Sequence, residues 1–167
     1  MRRILKRREI VTDEWLYAGE EGADPAGQTP LIVPFAQFRA HADVWRGRRA
    51  PLGVRLSPAD AVEDLAADLS LFQVVAAEFP GPADGRAFSQ ARLLRSRFHY
   101  GGELRAVGAG VKQDLIFLMA RCGFDSFELA AGETFEAAIA ALSRYDVAYQ
   151  PAEPLETIRQ QRFLAAQ

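Results

Sequence analysis

The chain has 167 residues, 49% hydrophobic and 25% charged, a length and balance typical of one soluble globular domain. Its single cysteine and two histidines exclude a disulfide scaffold and the usual structural zinc sites. The net charge of −2 argues against nucleic-acid binding, and no apolar run approaches the roughly 20 residues of a membrane span. We therefore expect a cytoplasmic protein that binds neither nucleic acid nor membrane.

Residues 1–30 predict an N-terminal arm and a linker. Two short extended segments, Ile4-Leu5 and Ile10-Val11, flank a basic stretch and are followed by a third at Trp15-Leu16. This pattern favours a small hairpin. Residues 19–30 are rich in glycine, proline and acidic side chains and cannot bury an apolar face, which indicates a linker.

From residue 31 onward, short apolar runs alternate with helical segments, the rhythm of repeated βα units around a parallel sheet. Strands are predicted at 31–33, 52–56, 72–79, 104–107 and 127–129, with a sixth near 147–149. The prediction is one α/β domain over 31–150, an open, doubly wound, mostly parallel sheet of five or six strands with flanking helices. A helical tail follows over 151–167. A partial βα barrel is the alternative. The length of the chain favours the open sheet, since about 250 residues are typical of a complete barrel.

Apolar residues spaced three or four positions apart predict the helices. Ser57 and Pro58 are read as the cap and first residue of the helix after the second strand. Gly123 is read as a left-handed C-cap. The predicted buried stripes are Val62, Leu65, Ala66 and Leu69; Ala87, Ala91, Leu94 and Phe98; Val111, Leu115, Leu118 and Cys122; and Phe135, Ile139 and Leu142.

Charge is unevenly distributed along the chain. Residues 57–85 hold six acidic and no basic side chains, whereas residues 86–121 hold seven basic and two acidic ones. The turns after the third and fourth strands should lie at the carboxyl edge of the sheet, where helix N-termini attract anions. An anion site is therefore predicted from Arg86, Ser89, Arg92, Arg105, Gly108 and Gly110. The alternative is a solvated face of arginines paired with acidic neighbours.

The sequence lacks a phosphate loop, a nucleophile elbow and a metalloprotease motif. Gly108 and Gly110 do not form a dinucleotide fingerprint, because Gln113 stands where its third glycine would be. Cys122 falls on a buried stripe at a helix C-terminus, where the dipole disfavours a thiolate, so packing is its expected role. One cysteine cannot hold an iron–sulfur cluster. We predict no metal and no cofactor, and the missing motifs favour a non-catalytic role while leaving the question open.

A group of motifs lies between residues 79 and 128: Phe79-Pro80, Asp84-Gly85-Arg86, Ala91 to Arg95, Gly102 to Gly108, Arg121 to Asp125, and Phe127-Glu128. Together they resemble a bacterial family of uncharacterised proteins encoded beside assimilatory sulfite reductase and often labelled probable oxidoreductases in sulfite reduction. The resemblance implies an accessory protein of sulfur assimilation that binds the reductase or an associated component. It also marks motif residues without an assigned role, namely Asp84, Arg95, Gln113, Arg121 and Cys122.

Two other functions stay open at this stage. The protein could bind a small oxyanion, or act on sulfite or a sulfur-bearing metabolite, because the planar arginine fork suits such groups. It could also be an oligomerisation module, since an incomplete sheet leaves edge strands that a second copy can cover.

Overall fold

The computed structural model describes residues 2–144, which fold into eight strands and a series of short helices. The strands are β1 Arg3–Lys6, β2 Glu9–Thr12, β3 Leu16–Tyr17, β4 Leu31–Pro34, β5 Leu52–Leu56, β6 Phe72–Glu78, β7 Glu103–Val107 and β8 Ser126–Phe127. The helices are α1 Phe35–Ala40, α2 Ala42–Arg46, a 3₁₀ helix Val62–Leu71, α3 Arg86–Arg92 with a following π turn Leu93–Arg97, α4 Gln113–Arg121 and α5 Phe135–Leu142.

All eight strands belong to one sheet, which curves into a half-barrel with the order β2-β1-β8-β7-β6-β5-β4-β3. Strands β3 to β8 run parallel and follow one another in chain order. Because each crossover has the same hand, every new strand adds on the same side and the order never reverses. The doubly wound arrangement is therefore wrong, and the partial βα barrel describes the fold.

The N-terminal hairpin is part of the sheet and does not precede it. Strand β1 pairs antiparallel with both β2 and β8, and Leu5 lies opposite Phe127. Strand β3 pairs parallel with β4 through Leu16 and Leu31. Eight strands thus replace the five or six expected, and the mostly parallel description holds for β3 to β8 only. The predicted strand at 147–149 and the tail at 151–167 lie outside the described residues.

The alternation of side chains divides the sheet into two unlike faces. The outer face carries Leu31, Val54, Val75 and Leu104, among others, and packs in one apolar core with buried residues of every helix. The opposite face, here called the inner face, has a smaller apolar cluster of Ile32, Val74, Ala76 and Val107, against which Trp15 and Tyr17 pack. The helices of residues 2–144 therefore cover only one side of the half-barrel.

The helical stripes agree with the structure in part. Ala87, Ala91 and Leu94 are buried as predicted for α3. In α4 the buried residues are Ile116 and Met119, while the predicted Leu118 is 43% exposed. The predicted stripe was counted from Val111, but Val111 lies in the loop before α4. The helix therefore turns a different set of residues toward the core.

The helix predicted from Ser57 begins later, at Val62, and is a 3₁₀ helix. The Asp60 carboxylate accepts the Ser57 N–H at 2.6 Å, which holds the preceding turn outside the helix. The left-handed C-cap at Gly123 is confirmed by its φ of +104°. Within residues 2–144, no helix has the length and apolar character needed to cross a membrane.

Candidate functional site

The turns after β6 and β7 meet at one rim of the sheet. The Gly110 N–H donates to the carbonyl oxygen of Phe79 at 2.9 Å. A Cβ at Gly108 would lie 2.5 Å from that same oxygen, and Gly108 has a φ of +106°. A Cβ at Gly110 would lie 2.7 Å from the carbonyl oxygen of Gly81. Both glycines are thus required for close packing of the two turns.

The residues of the predicted anion site are divided between the two faces. Arg86, Ser89 and Arg92 lie on α3, on the outer face, and the 62% exposed Arg86 side chain pairs with Asp84 at 2.6 Å. Arg105 points from β7 to the inner face, where its side chain is 1% exposed. Of the α3 residues, Arg86 directly follows the turn after β6, whereas Arg92 lies close enough to Cys122, at the end of α4, to affect its thiol. Arg105 is on the other face of the sheet, so the structure does not bring the predicted residues together at one point.

The motif residue Arg95 contacts several separate segments of the chain. It projects from the π turn and donates to the carbonyl oxygens of Gly123 and Gly102, each at 3.0 Å, and also to that of Tyr100. It also pairs with the Asp125 carboxylate. Arg95 thus fastens the segments that lead into β7 and β8.

The other motif residues have local structural contacts. The backbone N–H of Gln113, the first residue of α4, donates to Glu133 Oε2 at 2.8 Å. Arg121 ends α4 and Cys122 follows it half-buried. Burial raises the pKa of the Cys122 thiol, and the nearby Arg92 and Arg121 oppose this rise only in part.

A buried ion cluster occupies the inner face. The Arg105 guanidinium pairs with Asp13 at 2.9 Å and with Glu103 at 2.9 Å. Glu103 also accepts from Ser126 Oγ at 2.6 Å and from Lys6 Nζ at 2.5 Å. Burial favours a raised pKa for Glu103, but Arg105, Lys6 and Ser126 outweigh it and hold the pKa below its usual value.

The carboxyl ends of the strands carry a second polar group, here called the tyrosine rim and defined by Arg2, Tyr17, Arg55, Glu78 and Glu128. The Tyr17 hydroxyl donates to Glu128 at 3.0 Å. The guanidinium of Arg2 lies 4.6 Å from the centre of the Tyr17 ring, and that of Arg55 lies 5.8 Å from it. Arg55 in turn pairs with Glu78 at 2.8 Å.

Tyr17 acts in this group as a neutral hydrogen-bond donor. Its burial and the neighbouring Glu128 carboxylate raise the pKa of the phenol well above its usual value, against the opposing effect of Arg105. The hydroxyl therefore keeps its proton at neutral pH. In βα barrels the carboxyl ends of the strands are where ligands and partners are bound, which makes the tyrosine rim the first candidate site.

Sequence reasoning missed both polar groups of the inner face. A parallel strand with apolar packing on both faces reads as a continuous apolar run, yet β7 alternates Glu103, Leu104, Arg105 and Ala106. The same alternation places Arg55 and Glu78 on the inner face of their strands. This alternation of polar and apolar residues was the signal in the sequence that one face of the sheet is polar and not covered by the helices of residues 2–144. In the described part of the chain, no set of three or more His, Cys, Asp or Glu side chains is arranged to hold a metal.

Comparison with known protein families supports a single assignment. Residues 53–157 match the model of a family described as a bacterial protein of unknown function, DUF934. The chain belongs to this family. No curated protein matches it significantly. The part matched to DUF934 includes Arg55, Glu78 and Glu128 of the tyrosine rim, whereas Arg2 and Tyr17 precede it.

Proposed function

We propose that this DUF934 protein is an accessory protein of assimilatory sulfite reduction. It acts by binding the reductase or an associated component, and the tyrosine rim is the contact surface. The resemblance of residues 79–128 supports the pathway. The rim itself carries the binding role: two arginine guanidiniums lie over one aromatic ring, on the side of the sheet that the helices of residues 2–144 leave uncovered.

The composition of the rim is that of a protein-binding surface. Tyrosine and arginine are enriched among the residues that contribute most to binding at protein interfaces. The Arg55 side chain is 36% exposed and is oriented by Glu78, while Tyr17 is oriented by Glu128. Because these side chains are already held in place, little conformational entropy is lost in ordering them when a partner binds.

The test is capture of partners from the native cytoplasm with tagged variants. Arg55→Glu places a carboxylate beside Glu78 and removes one of the cations next to Tyr17, so it should abolish capture of the sulfite-reduction component. The matched control is Arg46→Glu. Arg46 lies on α2 and pairs with Asp68 of the 3₁₀ helix, on the helical side of the sheet. That variant should capture as the unmodified chain does.

Two results would overturn the proposal. One is capture by Arg55→Glu equal to that of Arg46→Glu. The other is recovery of no sulfur-assimilation protein by the unmodified chain, together with normal sulfite reduction in a deletion strain.

A small-oxyanion site is the second candidate, favoured by the contact between the two turns beside α3. In this version Arg86 and Arg92 bind sulfite or sulfate through their planar donor forks. Calorimetry with sulfite, sulfate and phosphate should show binding that weakens in Arg86→Ala and Arg92→Ala but not in Arg97→Ala. Heats that are the same in all variants would eliminate this site.

A further inference from the structure

A cleft of about 450 Å³ opens at the amino ends of β6 and β7, at the opposite end of the strands from the tyrosine rim. Its lining includes Lys6, Arg7, Trp15, Gln73, Gly101 and Glu103. The volume lies within the range of small-molecule sites in proteins. Neither the proposed partner surface nor the family motifs use Arg7, Trp15 or Gln73.

Among the described residues, one cationic side chain of the cleft has no carboxylate as an ion-pair partner. Glu103 is paired with Lys6 and Arg105, and Asp125 is paired with Arg95. The Arg7 side chain is exposed, and within residues 2–144 no carboxylate forms an ion pair with its guanidinium. The cleft therefore presents a positive group to whatever enters it.

The backbone that carries Arg7 is strained. Arg7 and Arg8 form the two-residue turn of the β1–β2 hairpin, with φ values of +48° and +72°. Such turns favour Asn-Gly, because left-handed backbone is unfavourable for most side chains. The Arg7 N–H donates to the carbonyl oxygen of Asp125 at 3.1 Å, which fixes the turn beside the cleft. Arginine at position 7 is thus less favourable for the stability of the turn than asparagine, but it places a positive charge at the cleft.

The cleft also has an aromatic wall. Trp15 packs over Gly53, with Cζ3 3.3 Å from the position that a Cβ would take there. The indole is only partly buried and lines the cleft, and the exposed Gln73 side chain adds an amide to the lining. Indole rings bind planar groups by offset or edge contacts.

We propose that this cleft binds a small organic anion with a planar aromatic body. Arg7 pairs with the carboxylate or sulfonate of the ligand, and Trp15 packs against its ring. The cleft and the tyrosine rim lie at opposite ends of the strands, so failure of either proposal leaves the other in place.

Calorimetry with naphthoate and its neutral analogue naphthamide tests the charge requirement. Two variants separate the charge from the fold, because each introduces a residue that the turn prefers: Arg7→Asn removes the cation, and Arg8→Gly keeps it. We expect Arg7→Asn to weaken naphthoate binding about tenfold, the scale of a lost charge-assisted contact, and Arg8→Gly to leave it unchanged. Naphthamide should bind more weakly to the unmodified chain and should not respond to Arg7→Asn.

Tryptophan fluorescence tests the aromatic wall. The chain has two tryptophans, and Trp45 is buried with its indole N–H donating to the carbonyl oxygen of Gln37. In Trp45→Phe the emission comes from Trp15 alone, and naphthoate should change it. Equal affinity for naphthoate and naphthamide, equal losses in both turn variants, or no heat with the unmodified chain at millimolar naphthoate would each overturn the proposal.

Discussion

Glu103 is the residue on which the polar contacts of the inner face converge. Its two carboxylate oxygens accept from Arg105, Lys6 and Ser126. Although burial opposes ionisation, these partners keep the pKa of Glu103 below the ordinary value of 4.5. A depressed pKa in the folded state means that the ionised carboxylate contributes stability above the unfolded pKa, and that this contribution is lost as the pH falls through the folded one.

The first prediction concerns acid stability. The free energy of unfolding should fall as the pH drops below about 5, and Glu103→Gln should make this fall less steep because that carboxylate no longer titrates. Urea unfolding at a series of pH values measures the effect. Glu63→Gln, at an exposed ion pair with Arg97, is the control and should leave the slope unchanged. Identical slopes for the unmodified chain and Glu103→Gln would contradict the role of Glu103.

The second prediction concerns Gly53, the residue beneath Trp15. A Cβ at this position would lie 2.9 Å from Ile32 Cγ1 and 3.0 Å from the carbonyl oxygen of Val74. Gly53→Ala should therefore destabilise the fold by about 1–3 kcal/mol, the usual result of overpacking, and should shift the Trp15 emission. The control is Gly81→Ala, where a Cβ would have nothing within 4 Å. Urea midpoints that rank the two variants equally would contradict the account.

At the scale of elements, the π turn after α3 determines where Arg95 points. The Phe98 N–H donates to the carbonyl oxygen of Leu93, the five-residue step that defines a π turn. From this turn Arg95 spans the segments before β7 and β8, through Gly102, Gly123 and Asp125. Arg95 thus connects α3 with the segments before β7 and β8, which the backbone hydrogen bonds within α3 do not reach.

The third prediction follows from those contacts. Arg95→Lys keeps the charge but loses the planar fork that reaches several acceptors, so it should lower stability by about 2 kcal/mol. Arg97→Lys is the matched control, because the ion pair of Arg97 with Glu63 is solvent-exposed and contributes less than about 1 kcal/mol. Thermal unfolding gives both values. Equal losses would show that the Arg95 fork is not needed.

The elements themselves were largely predictable, and their arrangement was not. The strand Leu52–Leu56 was predicted with the bounds it has, because its apolar residues Leu52, Val54 and Leu56 stand between Pro51 and Ser57-Pro58. The short β3, by contrast, has a pattern too brief to show that Leu16 pairs with Leu31. Strand order depends on the hand of the crossovers and on contacts between distant segments, neither of which a local pattern contains.

The candidate sites show the same division. The contact between the turns after β6 and β7 followed from strand direction alone. The tyrosine rim did not, because Tyr17 and Arg55 approach each other only through the pairing of β3 and β5 with β4, which no local pattern contains. Arg105 was assigned to an anion site from its charge, whereas its alternation with Leu104 and Ala106 places it among buried carboxylates.

At the scale of the whole molecule, the half-barrel ends in an edge strand with an apolar side chain. Strand β2 pairs only with β1 within the described residues, and its Ile10 is 41% exposed. Unpaired strand edges bind other strands, including those of a second copy. We therefore expect the β2 edge to pair with a second copy of the chain.

The fourth prediction is that the protein self-associates through β2 at high concentration. Ile10→Lys should return it to a monomer, because a charge on an edge strand opposes edge-to-edge pairing. Val44→Lys, at a 66% exposed position on α2, should not. Light scattering distinguishes the species. A monomer at high concentration of the unmodified chain would eliminate this interface.

The pairing of β1 with β8 also has a consequence for the order of folding. Leu5 meets Phe127, a residue more than one hundred positions later in the chain. During synthesis the β1–β2 hairpin emerges before β8, and its partner strand is made only after all the intervening crossovers. Such distant pairings fold slowly. In a ribosome-bound chain stalled before Ser126, the edge of β1 that later pairs with β8 should therefore be unpaired. Chaperones that recognise exposed strands would bind this edge of β1.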